Sequence, residues 1–573
     1  MSFLGELQRR NVFRVGIAYA IAVWVLLQIT DVITPILALP DWAPKLIFVI
    51  LAIGFVPAVI FAWAFEMTPE GIKKEKDVDP AQSVARGTGR KLDFAIIALL
   101  TATLGYFAYD KFVVSPPNPQ DSIRSIAVMP FINMSSDPEQ EFLSDGLSEE
   151  LLNLLAKVPE LRVAARTSSF SFKDQNLEIP EIAERLNVAH VLEGSIRKAG
   201  NQIRITAQLI KADDGFHIWS ETYDRELENI FAIQDEIAAA VVEELKITLL
   251  GEKPKATKTN PEAYTLYLQG RHIGRQRGGD QMHRQAEKLL TQSLQIDPDF
   301  APAWAELGMV YWGQGNFITI LSVDESIELA RNAYKRAITA DAQYGPAYAG
   351  LADLKMNSDY DFTAAEQNML QALALDPGDA FILKSAARLN RILGRFDEAI
   401  DLFHQSIARD PVSPDGHYRL GRTFYAAHRL EEAAVSLNMA RSLSPGGPGG
   451  ALYFLGKVLL AQGDAAGALV AMEQELAGYR FAGLAIVQHA LGDHGASDAA
   501  LHTMIEEAPT FAGYQIAEVF AFRGDINSAF EWLESAYDNR DSGMALMLTD
   551  PLLVNLHDDP RWEPLLDKMS FPH

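Results

Sequence analysis

The sequence predicts a membrane-anchored multidomain chain with three transmembrane helices, a small α/β domain and an all-α repeat superhelix. Three observations predict it. Apolar stretches of spanning length crowd the first 114 residues, runs of strand and helix length alternate between 122 and 250, and prolines recur every 34 residues further on. At 573 residues the chain has room for several cores of ordinary size.

In the anchor, 1–114, the stretches 15–37, 46–65 and 92–114 are predominantly apolar. Each is about 20 residues long, enough to cross a roughly 30 Å hydrocarbon layer. Asp93, Thr101, Thr103 and Asp110 shorten the clean apolar centre of the third. Arg9, Arg10 and Arg14 precede the first stretch, and Lys73, Lys74, Lys76, Arg86, Arg90 and Lys91 fill the loop after the second, whereas the loop between the first two has only Lys45. The positive-inside rule then puts the N-terminus in the cytoplasm and residues 115–573 beyond the membrane, in the periplasm if this is a bacterial inner membrane. Residues 115–121, with Pro116, Pro117 and Pro119, form a stiff spacer.

The acidity lies after the anchor. Residues 1–120 carry 11 Lys and Arg against 10 Asp and Glu, leaving 39 against 65 in the remainder. Such a charge repels phosphate backbones, so no nucleic-acid partner is expected. The absence of cysteine excludes disulfides, thiolate nucleophiles and Cys-ligated zinc.

From Ser125, SIAVMPF reads as a strand, and Leu151, Leu152, Leu155 and Val158 recur at helical spacing after it. LRVAAR is a second strand and IPEIAERLN a second helix. Two alternating strands then flank the turn Ala199-Gly200-Asn201-Gln202, HIWSETYDRE adds another, and Ile230 to Leu250 closes the unit as an amphipathic helix. The order is β-α-β-α-β-β-β-α. Over 122–250, the segments AVMPFINMSSDPEQEFLSDGLSEELLNLLAKVPELRVAARTSSFSFK, VLEGSIRKAGNQIRITAQLI and WSETYDRELENIFAIQDEIA resemble the TolB amino-terminal-like domain of bacterial tetratricopeptide proteins. In that family the module follows cyclase, kinase or DNA-binding domains; residues 1–14 are too few to be one, so the resemblance implies neither nucleotide cyclisation nor transcriptional control here.

Asp145, Glu149, Glu150, His190, Glu193, His217 and Asp224 are the polar residues to weigh for catalysis, and no spacing among them demands it. Glu149 and Glu150 are read as first-turn residues favoured by the helix dipole. A nucleophile elbow, a phosphate loop and an HExxH motif are all missing from the sequence, so no catalytic residue, cofactor or metal is expected.

Pro377, Pro411 and Pro445 stand 34 residues apart, each ending a helix-like run. That is the tetratricopeptide period, and Leu420, Gly421, Phe424, Ala433 and Ala440 occupy its signature positions. About seven or eight such repeats are expected over 260–549, with 550–573 as a capping element. In this family the concave face is lined by the first helix of each repeat. The resemblance thus implies a partner groove of Phe381, Lys384, Arg388, Arg391, Tyr418, Arg422, Tyr425, Tyr453 and Lys457. Basic and aromatic side chains in so acidic a region favour an anionic ligand, an acidic segment or C-terminal carboxylate of a partner protein. The expected role is a membrane-embedded interaction scaffold displaying this groove beyond the membrane; the alternatives are an extracytoplasmic sensor acting through a cytoplasmic adaptor and a nucleotide-handling enzyme.

Overall fold

The computed structural model describes 124–571 apart from 159, 246–257, 276–278, 317–319, 445–448, 476 and 508–511; before 124 it describes Tyr19, Val23, Leu51, 65–68 and 71–74. The chain divides into two compact units, Met1–Asn118 and Pro119–His573.

In the first unit, β1 (Phe65–Thr68) and β2 (Gly71–Lys74) pair antiparallel, Phe65 opposite Lys74 and Thr68 opposite Gly71. The expected three-span anchor is overturned: among the described residues, no helix is long and apolar enough to cross a membrane. Phe65, the last residue of the second expected span, opens a strand, and the apolar run stops at Glu66. The rest of 15–37, 46–65 and 92–114 lies outside the described residues, save Tyr19, Val23 and Leu51.

The second unit is mostly helical. It opens with an α/β domain comprising β3 (Ser125–Val128), β4 (Ile132–Asn133), α1 (Glu141–Ala156), β5 (Arg162–Val163), α2 (Arg166–Phe170) and α3 (Ile179–Leu186). Then follow β6 (His190–Ala199), β7 (Gln202–Lys211), β8 (His217–Glu226) and α4 (Ile230–Glu244). The sheet runs β5-β3-β6-β7-β8 with β4 beside β6; β3 is parallel to β5 and β6, while β6-β7 and β7-β8 are antiparallel. The β6-β7 turn falls where the sequence puts it, with Gly200 at φ 62°, a conformation a side chain resists. Alternation along β6 sends Leu192 to the face covered by α1 and α4, and Val191 to the opposite face under α3.

Antiparallel helix pairs follow: α5 (Pro261–Gly274) with α6 (Asp280–Ile296), α7 (Ala301–Asn316) with α8 (Val323–Ala340), and α9 (Gly345–Leu354) with α10 (Phe362–Leu375). Next are α11 (Ala380–Ile392) with α12 (Phe396–Arg409), α13 (Pro414–Ala426) with α14 (Leu430–Leu443), and α15 (Ala451–Ala461) with α16 (Ala465–Glu473). The series ends with α17 (Ala477–Ala490) on α18 (His494–Glu507), α19 (Gly513–Phe522) on α20 (Ile526–Asp538), and a tail of two 3-10 segments, Ser542–Thr549 and Pro551–Leu556, and α21 (Trp562–Lys568).

The Gly-Asp pairs between helices each do two jobs. Gly463, Gly492 and Gly524 take φ values of 87°, 82° and 79°, ending one helix. The next residue caps the following helix, Asp464 accepting from Gly467 N, Asp493 from Ala496 N and Asp525 from Ser528 N. Close pairing also needs Gly421, where an added Cβ would sit 2.7 Å from Leu437 Cγ.

Two packing features tie distant parts of this unit together. The α/β core is continuous with the first repeats, since Leu147, Leu151 and Val241 share one apolar cluster with Tyr264, Leu268, Leu290 and Phe300. The tail packs across α9, α10 and α11 as well as α19 and α20, with Phe571 stacked on Phe362 at 4.4 Å and Tyr360 Oη donating to Asp541 O at 3.0 Å. It therefore does more than cover the last helix pair.

Candidate functional site: a basic stretch between two filled ends

Helix α1 lies against α5, and a buried ion network joins them. Arg166 Nε donates to Glu149 Oε2 at 2.8 Å, Arg271 Nη2 stands 3.6 Å from the same oxygen, and Arg275 Nη1 donates to Glu149 Oε1. Arg271 also donates to Glu150 at 2.7 Å and Tyr267 Oη at 2.6 Å, while Arg275 grips Glu306 through two bonds of 3.1 Å. Burial pushes the Glu149 carboxyl up, but Arg271, Arg275 and Arg166 outweigh it and hold the group down at about 2. Glu149 and Glu150 thus sit in the middle of a helix that begins at Glu141, so neighbouring guanidiniums, not the helix dipole, stabilise them. The other weighed residues scatter: Asp145 pairs with Lys173 at 2.6 Å, His190 Nδ1 lies 3.3 Å from Ser125 O, and Asp224 pairs with Arg204 at 2.7 Å on the open sheet face.

A second contact fixes the domain further along. Ser168 Oγ donates to Asp410 Oδ1 at 2.7 Å and accepts from Val412 N at 3.2 Å.

Beside α1, Asp376 lines a small pocket with Glu150, Lys157, Tyr267, Tyr344 and Asp379. Burial pushes its carboxyl up to about 6, against the pull of Lys157. A folded-state value above the ordinary one contributes stability that is full below the ordinary carboxylate range and is lost as pH rises through about 6. Asp376→Asn is therefore expected to flatten the pH dependence of urea unfolding and to raise stability near pH 8 by on the order of 1 kcal/mol. An unchanged profile would refute the assignment.

At the other end, Lys457 on α15 is 2% exposed. Its Nζ donates to Glu518 Oε1 at 2.6 Å and stands 3.7 Å from Asp550 Oδ1; Tyr453 Oη donates to Glu518 Oε2 at 2.8 Å and Tyr514 Oη to Asp550 Oδ2 at 3.0 Å. Burial lowers the affinity of Lys457 for its proton, yet Asp550 and Glu518 reverse this and hold the ammonium charged. Glu518 is pushed up by burial and by Asp550.

The nine residues read from the sequence thus divide. Arg391, Tyr418, Tyr425, Tyr453 and Lys457 are all buried, and Tyr453 and Lys457 hold Glu518 of the chain itself. Phe381 is 46% exposed. Lys384, Arg388, Arg391, Tyr418 and Arg422 come together between the two filled ends. Lys384 pairs with Asp415 at 2.7 Å, and Arg388 lies 3.6 Å from Asp353 and donates to Asn357 Oδ1 at 3.0 Å. Arg422 stacks on Phe454 at 4.3 Å. Sequence reasoning missed Arg419, which shares Asp415 at 2.9 Å and is the i+4 neighbour of that carboxylate. It also missed Glu518 and Asp550, for which no local pattern exists.

Residues 121–240 match a family model described as the second domain of HilA/YgeH-like transcriptional regulators, and 385–448 match one described as tetratricopeptide repeat. The chain is 40% identical over 230 residues to a Rhizobium meliloti protein named "Putative adenylate cyclase 3", covering 39% of each chain. It is 24% identical over 339 residues to the transcriptional regulator HilA of Salmonella typhimurium, covering 58% of this chain and 53% of HilA. The chain therefore spans about two fifths to half the length of these relatives. Among solved structures, Pseudomonas aeruginosa PilF (15% identity, TM-score 0.31, 40% of this chain and 98% of that one) is similar. So is YrrB, described as a TPR protein with an unusual peptide-binding site (15%, 0.26, 37% and 96%). With scores this low, the two structures add nothing on function. From the repeat match and the helix pairs, the chain carries tetratricopeptide repeats, joined to an α/β domain similar to the second domain of HilA-like regulators.

Proposed function

We propose that the protein is an interaction scaffold, not an enzyme, whose repeats take an acidic segment of a partner protein in the stretch between α11 and α13. One observation carries this reading. Lys384, Arg388, Arg391, Arg419 and Arg422 line that stretch against two carboxylates, Asp353 and Asp415, in a chain of net charge −25. An excess of guanidinium over carboxylate is complementary to a carboxylate-bearing chain, and Arg recognises that group through paired donors. The α/β domain, which resembles the TolB amino-terminal-like module, is held in the first repeats by the Glu149 network and serves as a fixed wall of the binding surface.

The experiment is fluorescence anisotropy with a labelled pentaglutamate peptide and a pentalysine control. Pentaglutamate is expected to bind, and binding should weaken with salt. Lys384→Gln with Arg388→Gln is expected to weaken it by roughly tenfold or more. Equal binding of both peptides, or no response to the double substitution, would sink the reading.

A further inference from the structure

Neighbouring cations on α11, α13 and α15 are treated differently by the fold. Lys457 is matched by two carboxylates, whereas two guanidiniums nearby on α11 and α13 are not. Arg391 is 6% exposed, and no described carboxylate lies within ion-pair distance of it or of Arg422. The Nε of Arg422 is buried without a hydrogen-bond partner among the described residues, and Nη1 reaches only Tyr418 Oη, at 3.4 Å. Phe454 and Tyr418 flank its guanidinium at 4.3 and 5.3 Å, fixing the plane while leaving N–H edges unused.

The carboxylates that could neutralise the pair are engaged elsewhere. Asp415 accepts from Lys384 and Arg419, and Asp353 faces Arg388; Glu518 and Asp550, whose charge together with Tyr418 and Tyr479 raises the proton affinity of Arg422 against its burial, are paired with Lys457. Burial, with Arg422, Arg388 and Arg419 close by, holds the Arg391 guanidinium well below its ordinary range. Burying unpaired charge is costly, and a fold that compensates Lys457 so fully leaves this pair short of one anion.

We infer that Arg391 and Arg422 form a buried carboxylate site, the anchor point of the groove's ligand; this rests on the scaffold reading above. Five N–H donors on each guanidinium suit the planar, two-oxygen geometry of a carboxylate. Lys384, Arg388 and Arg419, each partly exposed, line the way in and draw the anion toward the buried pair. The carboxylate can come from a peptide C-terminus or from an Asp or Glu side chain.

The test uses the full chain and two probes. Sodium acetate is expected to raise the thermal midpoint of the wild type above that in sodium chloride of equal ionic strength, and Arg391→Met with Arg422→Met to abolish the difference. No rise in the wild type overturns the site and needs no variant. With labelled pentaglutamate, each Met substitution is expected to weaken binding by roughly tenfold. If amidating the peptide C-terminus removes the Met effect, the anchor takes the terminal carboxylate; if the effect survives amidation, it takes a side chain. Both results support the site. Binding that responds to Lys384→Gln but not to either Met substitution overturns the buried site while the scaffold reading stands; a wild type that binds no pentaglutamate overturns the scaffold reading itself.

Discussion

Lys457→Met is expected to destabilise the repeats by about 3–5 kcal/mol, because it leaves Glu518 and Asp550 buried without their cation. Methionine nearly matches the length of the lysine stem, so the loss is electrostatic more than volumetric. Asp550 also caps the 3-10 segment Pro551–Leu556 through Leu552 N, so the damage should spread to the tail, loosening the Phe571–Phe362 stack. Adding Asp550→Asn to Lys457→Met removes the stranded charge and is expected to recover part of the loss. Urea unfolding of the three proteins decides this: if the single variant matches the wild type, the cluster is not what holds the tail. Glu518, raised above its ordinary range, contributes stability present at low pH and lost as pH rises through its raised value; Asp550, held low, contributes in the opposite sense, losing its part as pH falls.

Glu149→Ala is expected to cost about as much, roughly 3–5 kcal/mol, since Arg166, Arg271 and Arg275 all converge on this carboxylate. Its second consequence is loss of coupling. In the wild type the α/β core is continuous with α5 and α6, so amides of β6 and of α5 should exchange hydrogen with similar protection. In the variant the two sets are expected to separate, with β6 opening independently. Since the group is held down at about 2, its contribution is present above the ordinary carboxylate value and is lost as pH falls through about 2. Wild-type stability should accordingly drop through that acid window, and the variant should lack this component. Identical protection of both elements in the variant would show that apolar contact alone couples them.

Local pattern was legible in the sequence. The 34-residue spacing of Pro377, Pro411 and Pro445, the Gly-Asp turns and the hairpin at Gly200 each depend on a few neighbouring residues, and backbone sterics settle their outcome within one turn. Helix spacing also puts Lys384, Arg388 and Arg391 on one face of α11. The anchor was not legible: apolar length says that a segment avoids water and leaves its secondary structure open, as the strand at Phe65 illustrates.

What only tertiary structure decided is which groove charges are already matched. Lys457 finds Glu518 61 residues away, Arg275 finds Glu149 across 126, and Ser168 finds Asp410 across 242. Such pairings depend on the rotation from each helix pair to the next, summed over many repeats, which sets α1 against α5 and the tail against α9, α10 and α11. No window of sequence holds that sum, so the chain announces its helices residue by residue while the matching of its buried charges is settled only when the helix pairs stack.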